Sequence, residues 1–224
     1  MIDNITLTLL YLIGIALLLV FNELAYRRLK LKGEITRKFA HFSTALATIP
    51  FPYIFLSHWH VLVLAVIFAV VLFLTRSKKQ LNSIHDIERK SMGSFLLPIA
   101  VYVVFYISFE MGNKLIYILP MIILAVCDPI AAILGMSGWK GNGNISFFRW
   151  KSRKTYFGSA AFLVTCFVIS VIALYYYRQS FDLKTFWLAL LIAIVGTLSE
   201  LICWRGSDNL TIPVSVAIVL GFFL

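Results

Sequence analysis

The chain has 224 residues, 61% of them hydrophobic and only 13% charged, with a net charge of +10. A soluble domain is about half apolar and a quarter charged, so a water-soluble globular protein is excluded. A basic balance would point to nucleic acid in a soluble protein; here the cations sit in short loops between apolar runs, so anionic headgroups and phosphates are the expected partners, and nucleic acid is not.

A helix crossing a hydrocarbon core about 30 Å thick needs about 20 apolar residues. Eight runs are predicted as spans: 5–24, 39–56, 59–75, 92–109, 115–136, 157–177, 186–204 and 210–224. The last is the shortest, and the second and third are joined by a tight turn at Ser57 and His58. With no linker, low-complexity tract or internal repeat, the expected fold is a single all-α, polytopic membrane bundle of about eight transmembrane helices over residues 1–224. The first run has no basic residue before it and no A-x-A-like site after it, so no cleaved signal is expected. Cys127, Cys166 and Cys203 lie in apolar runs without metal-ligand spacing and read as packing residues.

Threading these eight spans places seventeen of the twenty Lys and Arg on one side and leaves Lys114, Arg178 and Lys184 on the other. The positive-inside rule then sets three long loops in the cytoplasm and both termini on the opposite side.

Ionisable side chains within spans are costly and usually face a bundle interior or a cavity. Glu23, Asp128 and Glu200 lie in spans and Asp208 at a span edge, each toward the cytoplasmic end. Arg37, Lys38, Arg89, Lys90, Arg153 and Lys154 lie on the same side. Carboxylates can hold Mg²⁺, Mg²⁺ bridges phosphate oxygens, and Lys and Arg neutralise the rest. A salt-bridged structural bundle with snorkelling basic ends uses the same residues, and for Glu23 alone that reading is preferred.

Asp128 is the sharpest signal. It falls inside an apolar run and precedes Pro129, which is expected to break the helical ladder beside a carboxylate. Ala132 and Gly135 follow at i+4 and i+7, leaving room for a ligand or for close helix packing. The polar stretch 135–159 carries Gly135, Gly138, Gly141 and Gly143, then Arg149, Lys151, Arg153 and Lys154, then Thr155, Gly158 and Ser159. Glycines beside cations can wrap a polyphosphate, although the glycines alone read as an ordinary loop and no Walker string is present. His41 shares a helix face with Arg37 and reads as a general base, a phosphate contact or a packed histidine.

Four segments, in order, resemble the CTP-dependent polyprenol kinase family, which includes dolichol kinase, phytol kinase and CTP-dependent diacylglycerol kinase. Arg37-Lys38-Phe39-Ala40-His41 is similar to the family's R-K-x-x-H element, and Glu88-Arg89-Lys90-Ser91-Met92-Gly93 to its E-R-K-x-x-G element. Asp128-Pro129-Ile130-Ala131-Ala132-Ile133-Leu134-Gly135 and Lys154-Thr155-Tyr156-Phe157-Gly158-Ser159 resemble its D-P-x-A-x-x-x-G and K-T-x-x-G-S pair. Glu200, then Asp208-Asn209-Leu210-Thr211-Ile212-Pro213, resembles its closing acid and D-N-x-x-x-P element. Phe157 stands where many members carry an acid. The D-x-x-A-x-x-x-G and K-T-x-x-G-S pair also resembles CDP-diacylglycerol synthase, but that enzyme's histidine-glycine-rich, double-aspartate signature is not found.

The resemblance implies an integral multi-pass enzyme that transfers the γ-phosphate of CTP, with Mg²⁺, to a membrane isoprenoid alcohol of phytol or polyprenol type or to diacylglycerol, at the cytoplasmic face. It implies Asp128, Asp208 and Glu200 as metal ligands, and Asp128, Asp208, Glu200, His41 and Lys154 as the catalytic set. The phosphate and nucleotide contacts would be Arg37, Lys38, Glu88, Arg89, Lys90, Gly135, Lys154, Thr155, Gly158, Ser159 and Asn209. The proton acceptor stays open among Asp208, Glu200 and His41. Partners are then CTP, the lipid alcohol and the bilayer, and a homo-oligomer is compatible with these features. A phosphatidate cytidylyltransferase is the alternative, and a transporter a more distant one, since no inverted repeat is seen.

Overall fold

A computed structural model describes residues 4–29, 34–77, 92–137, 142–145, 154–204 and 206–224. Nine helices occur among them: α1 (Asn4–Leu29), α2 (Glu34–Thr48), α3 (Phe51–Ile54), α4 (His58–Ser77), α5 (Gly93–Glu110), α6 (Leu115–Gly135), α7 (Tyr156–Arg178), α8 (Leu183–Ile202) and α9 (Asp208–Phe223). No sheet forms among the described residues; an isolated bridge joins Asn144 to Thr155.

Six helices, α1, α4, α5, α6, α7 and α8, are long and apolar enough to cross a bilayer. The chain is therefore a multi-pass helical membrane protein. The expectation of eight equal spans is modified at two places. The predicted run 39–56 divides into α2 and α3, because Thr48 is followed by a turn at Ile49 and Pro50, and a proline cannot extend the ladder behind it. At 15 residues α2 rises only about 22 Å, and α9, with 16 residues, about 24 Å.

The core is centred on α6. Ile116, Tyr117, Leu119, Met121, Ile123, Leu124, Ala125 and Cys127 along it are all buried, and α2, α5, α7 and α9 pack around it. The outermost helices turn apolar side chains outward instead: Leu9, Ile13, Leu17 and Phe21 on α1, and Val63, Val66, Val70 and Phe73 on α4, are exposed. A face of that size needs lipid against it. The expected break at Pro129 does not occur. The α6 helix runs on through Pro120 and Pro129 to Gly135, so proline removes one backbone donor, to the Ala125 carbonyl, without ending the helix.

Close approach of helices is set by glycine at two points. A Cβ on Gly158 would stand 2.9 Å from the Ala131 carbonyl oxygen and 3.3 Å from the Gly135 Cα, so α7 starts in contact with the last turns of α6. A Cβ on Gly93 would stand 2.7 Å from Asn209 Nδ2 and 3.1 Å from the Gly206 carbonyl oxygen, so the start of α5 touches the start of α9. Gly158→Val should therefore lower stability by about 1–3 kcal/mol through overpacking against backbone. Gly14→Ala, at a site with nothing within 4 Å, should not lower it. Thermal unfolding of both variants in detergent checks this.

Candidate functional site

One end of the bundle gathers the charged side chains, and each arrives there for a local reason. On α2, Lys38 and His41 are three residues apart and share a face. Lys38 Nζ donates to Asp128 Oδ2 on α6, and only 6% of the Asp128 side chain is exposed. A carboxylate so buried persists as an ion only with a cation beside it.

Lys154 precedes the first turn of α7. Thr155 caps that helix in an extended conformation, its Oγ1 accepting from the Gly158 N–H at 3.2 Å. Thr155 Oγ1 also donates to the Gly135 carbonyl at 3.4 Å, which ties the start of α7 to the end of α6. Asn142 reinforces the tie: its Nδ2 donates to the Gly135 and Ser137 carbonyls at 2.9 and 3.0 Å, and its Oδ1 accepts from the Phe157 N–H at 3.3 Å. With its backbone held this way, Lys154 sends its ammonium to two further helices. It donates to Glu200 on α8 and lies 3.7 Å from Asp208 Oδ2 on α9. Ser159 Oγ donates to Glu200 Oε2 at 3.4 Å.

Burial disfavours the Lys154 ammonium, but the carboxylates of Asp208, Glu200 and Asp128 outweigh it and hold its pKa above the ordinary lysine range. A raised lysine pKa contributes stability that is complete below the unfolded value and lost only as pH rises through the folded one. Lys154 is therefore charged throughout the neutral range, and the three carboxylates that raise it act as one electrostatic group.

The Asn209 amide links the remaining parts. Its Nδ2 donates to the Gly93 carbonyl at 2.8 Å and lies 3.1 Å from His41 Nδ1. The carbonyl fixes which way the amide points, since the opposite flip would set two oxygens together. The amide's second hydrogen then falls to His41 Nδ1 as acceptor, so a neutral His41 carries its proton on Nε2.

Asp128, Glu200, Asp208, Lys38, Lys154, His41, Asn209 and Ser159 thus stand at one end of the bundle, drawn from α2, α6, α7, α8 and α9. Thr155, Gly135 and Gly158 lie at the α6–α7 junction beside them. Glu88, Arg89 and Lys90 fall outside the described residues, as does the Arg37 side chain, although Arg37 is on α2. Glu23, on α1, pairs with Arg27 at 2.8 Å. Sequence reasoning missed Asn142, whose hydrogen bonds organise the polar loop, and the Gly93 carbonyl; a lone Asn in a glycine-rich stretch carries no signal of its own.

Sequence reasoning also missed a cleft. It is a narrow cleft between α1, α2, α4 and α5 with an open mouth. Its walls are almost wholly apolar, with His41, Thr44 and Ser94 at the end nearest the charged group. On α2 the wall residues Ala40, His41, Thr44 and Thr48 follow helical spacing, which is legible only once their neighbours are known.

Removing Lys154 leaves Glu200 and Asp208 without their shared cation. Lys154→Met should cost about 3–5 kcal/mol, as expected for stripping one member from a buried pair, whereas Lys154→Arg should recover most of it. Thermal unfolding in detergent at neutral pH distinguishes them.

With this geometry in hand, the chain is similar to a phytol kinase of Synechocystis sp., 22% identical over 187 residues that cover 84% of this chain and 78% of that protein. No family model matches the chain, and no solved structure matches it.

Proposed function

We propose that this protein is a CTP-dependent lipid-alcohol kinase, which transfers the γ-phosphate of CTP to a membrane-resident isoprenoid alcohol. The observation that carries the reading is a juxtaposition. An apolar cleft facing the lipid-contacting helices opens, at His41, beside a buried group of carboxylates and lysines. The first suits a lipid tail and the second a phosphate with its counter-charges. The likeness to a phytol kinase supports the same reaction class, and the four family-like segments supply the choice of CTP.

In this reading Lys154 and Lys38, with Arg37, Arg89 and Lys90, hold the phosphates. Asp128, Glu200 and Asp208 are the hard oxygen donors that Mg²⁺ prefers. Among the described residues no three His, Cys, Asp or Glu stand close enough to enclose a metal by themselves. Such a set suits a cation that keeps waters and phosphate oxygens in its shell. Bound there, Mg²⁺ would neutralise charge on the β- and γ-phosphates. The alcohol oxygen attacks the γ-phosphorus in line, the new O–P bond forms as the bond to CDP breaks, and the hydroxyl proton passes to a carboxylate. The His41 tautomer set by Asn209 presents an N–H at Nε2, so His41 serves as a hydrogen-bond donor to an oxygen, and Asp208 and Glu200 remain as the acceptors. The proposal includes α2 with α3 and α9 as the two further, shorter membrane segments, and the charged end on the cytoplasmic side, as the distribution of Lys and Arg indicates.

The test is product analysis with purified protein, Mg²⁺ and γ-labelled CTP or ATP in mixed micelles. The proposal expects label in a lipid monophosphate with CTP preferred. Pyrophosphate release on adding phosphatidate would move the chain to the cytidylyltransferases. Asp128→Asn should lower turnover by at least about a hundredfold while the protein still inserts and folds; turnover near that of the unaltered protein would remove Asp128 from the mechanism.

A further inference from the structure

We infer that the apolar cleft measures the length of the substrate's tail, and that Phe51 is the residue that sets its floor. The inference rests on the lipid-alcohol reading above and adds the specificity of the same site.

The cleft has a direction. His41 on α2, Leu72 on α4 and Ser94 on α5 line its charged end; Thr48 and Phe51, Val61 and Val101 line the other, deeper in the bundle. From Leu72 to Val61 is eleven helical residues, about 16 Å at 1.5 Å each, roughly half of a hydrocarbon core. A zigzag of C–C bonds near 1.5 Å advances about 1.25 Å per carbon, so this depth takes about 13 chain carbons, or about three to four isoprene units once the hydroxyl end stands in the mouth.

The deep end is closed by a supported wall. Phe51 is 1% exposed and opens α3, the short helix that follows Pro50. Its ring meets Tyr11 and Phe55 edge-on, each at 5.1 Å, and stacks on Tyr117 at 6.4 Å. Tyr117 is buried and donates its hydroxyl to the Thr48 carbonyl at 3.1 Å, and Phe105 braces it at 5.6 Å. Val61, on the opposite wall, is fully buried. Rings locked on several sides do not rotate aside. A longer polyprenol therefore has no room beyond the floor.

Two substitutions at the floor should shift the preference in opposite directions. Phe51→Leu deepens the cleft and Val61→Phe shortens it. Turnover is measured for geraniol, farnesol, geranylgeraniol, the five-unit homologue and a long polyprenol. The unaltered protein should prefer farnesol to geranylgeraniol lengths. Phe51→Leu should raise kcat/KM for the five-unit alcohol relative to geranylgeraniol by about tenfold, the scale on which apolar pockets discriminate small volume differences. Val61→Phe should move the optimum down by one unit. Competition among the same alcohols for the protein in nanodiscs, read by native mass spectrometry, gives the length preference without turnover. The same length order in all three proteins by that assay overturns the inference, as does equal binding of the long polyprenol by the unaltered protein. A length order that shifts as expected with no phosphorylation of any alcohol sustains the ruler and removes the kinase reading.

Discussion

Three carboxylates with little exposure stand at one end of an apolar bundle, and burial of an ionised carboxylate without a cation costs several kcal/mol. Asp128, Glu200 and Asp208 therefore constrain where the lysines must go. Lys38 is committed to the first and Lys154 to the other two, and these two pairings connect five helices. The α2 helix cannot move relative to α6, nor α8 and α9 relative to the start of α7, without opening an ion pair in a poorly solvated place. The same feature that stabilises the arrangement is the one a phosphate and its cation would engage, since they exchange charge with groups already paired.

Packing around the charges follows from small residues. Gly158 allows α7 to begin in contact with α6, so Lys154 starts from a point within reach of two other helices. Gly93 allows the Asn209 amide to reach a backbone carbonyl, which orients the amide and through it the His41 ring. In both cases a missing Cβ lets a polar group reach its partner. Thr155 and Asn142 perform the equivalent task for the loop between α6 and α7.

The cleft joins this charged end to the lipid-facing side of the bundle. It lies where α1 and α4, the helices with the most outward apolar surface, meet α2 and α5. In the proposed reading a polar head and an apolar tail would meet neighbouring surfaces of different chemistry. That division of labour is what an interfacial lipid substrate demands, and it arises from α2 serving both: Lys38 toward α6, His41 at the junction, and Thr44 and Thr48 along the cleft.

Much of this was legible beforehand, and the reason is physical. Hydrocarbon has a fixed thickness and admits only satisfied backbone, so run length and polarity located α1, α4, α5, α6, α7 and α8 to within a few residues. Charges in apolar runs are rare enough to stand out, which marked Asp128 and Glu200, with Asp208 at a span edge. Sequence alone did not determine which lysine would meet which carboxylate, that α6 would continue through Pro129, or that α2 would stop at Thr48 and turn Phe51 back into the bundle. The pairings depend on contacts between residues 46 and 90 positions apart, and the cleft is a space between four helices with no residue pattern of its own. Hydrophobicity decides what is buried; only the packing of one helix on another decides what the buried groups face.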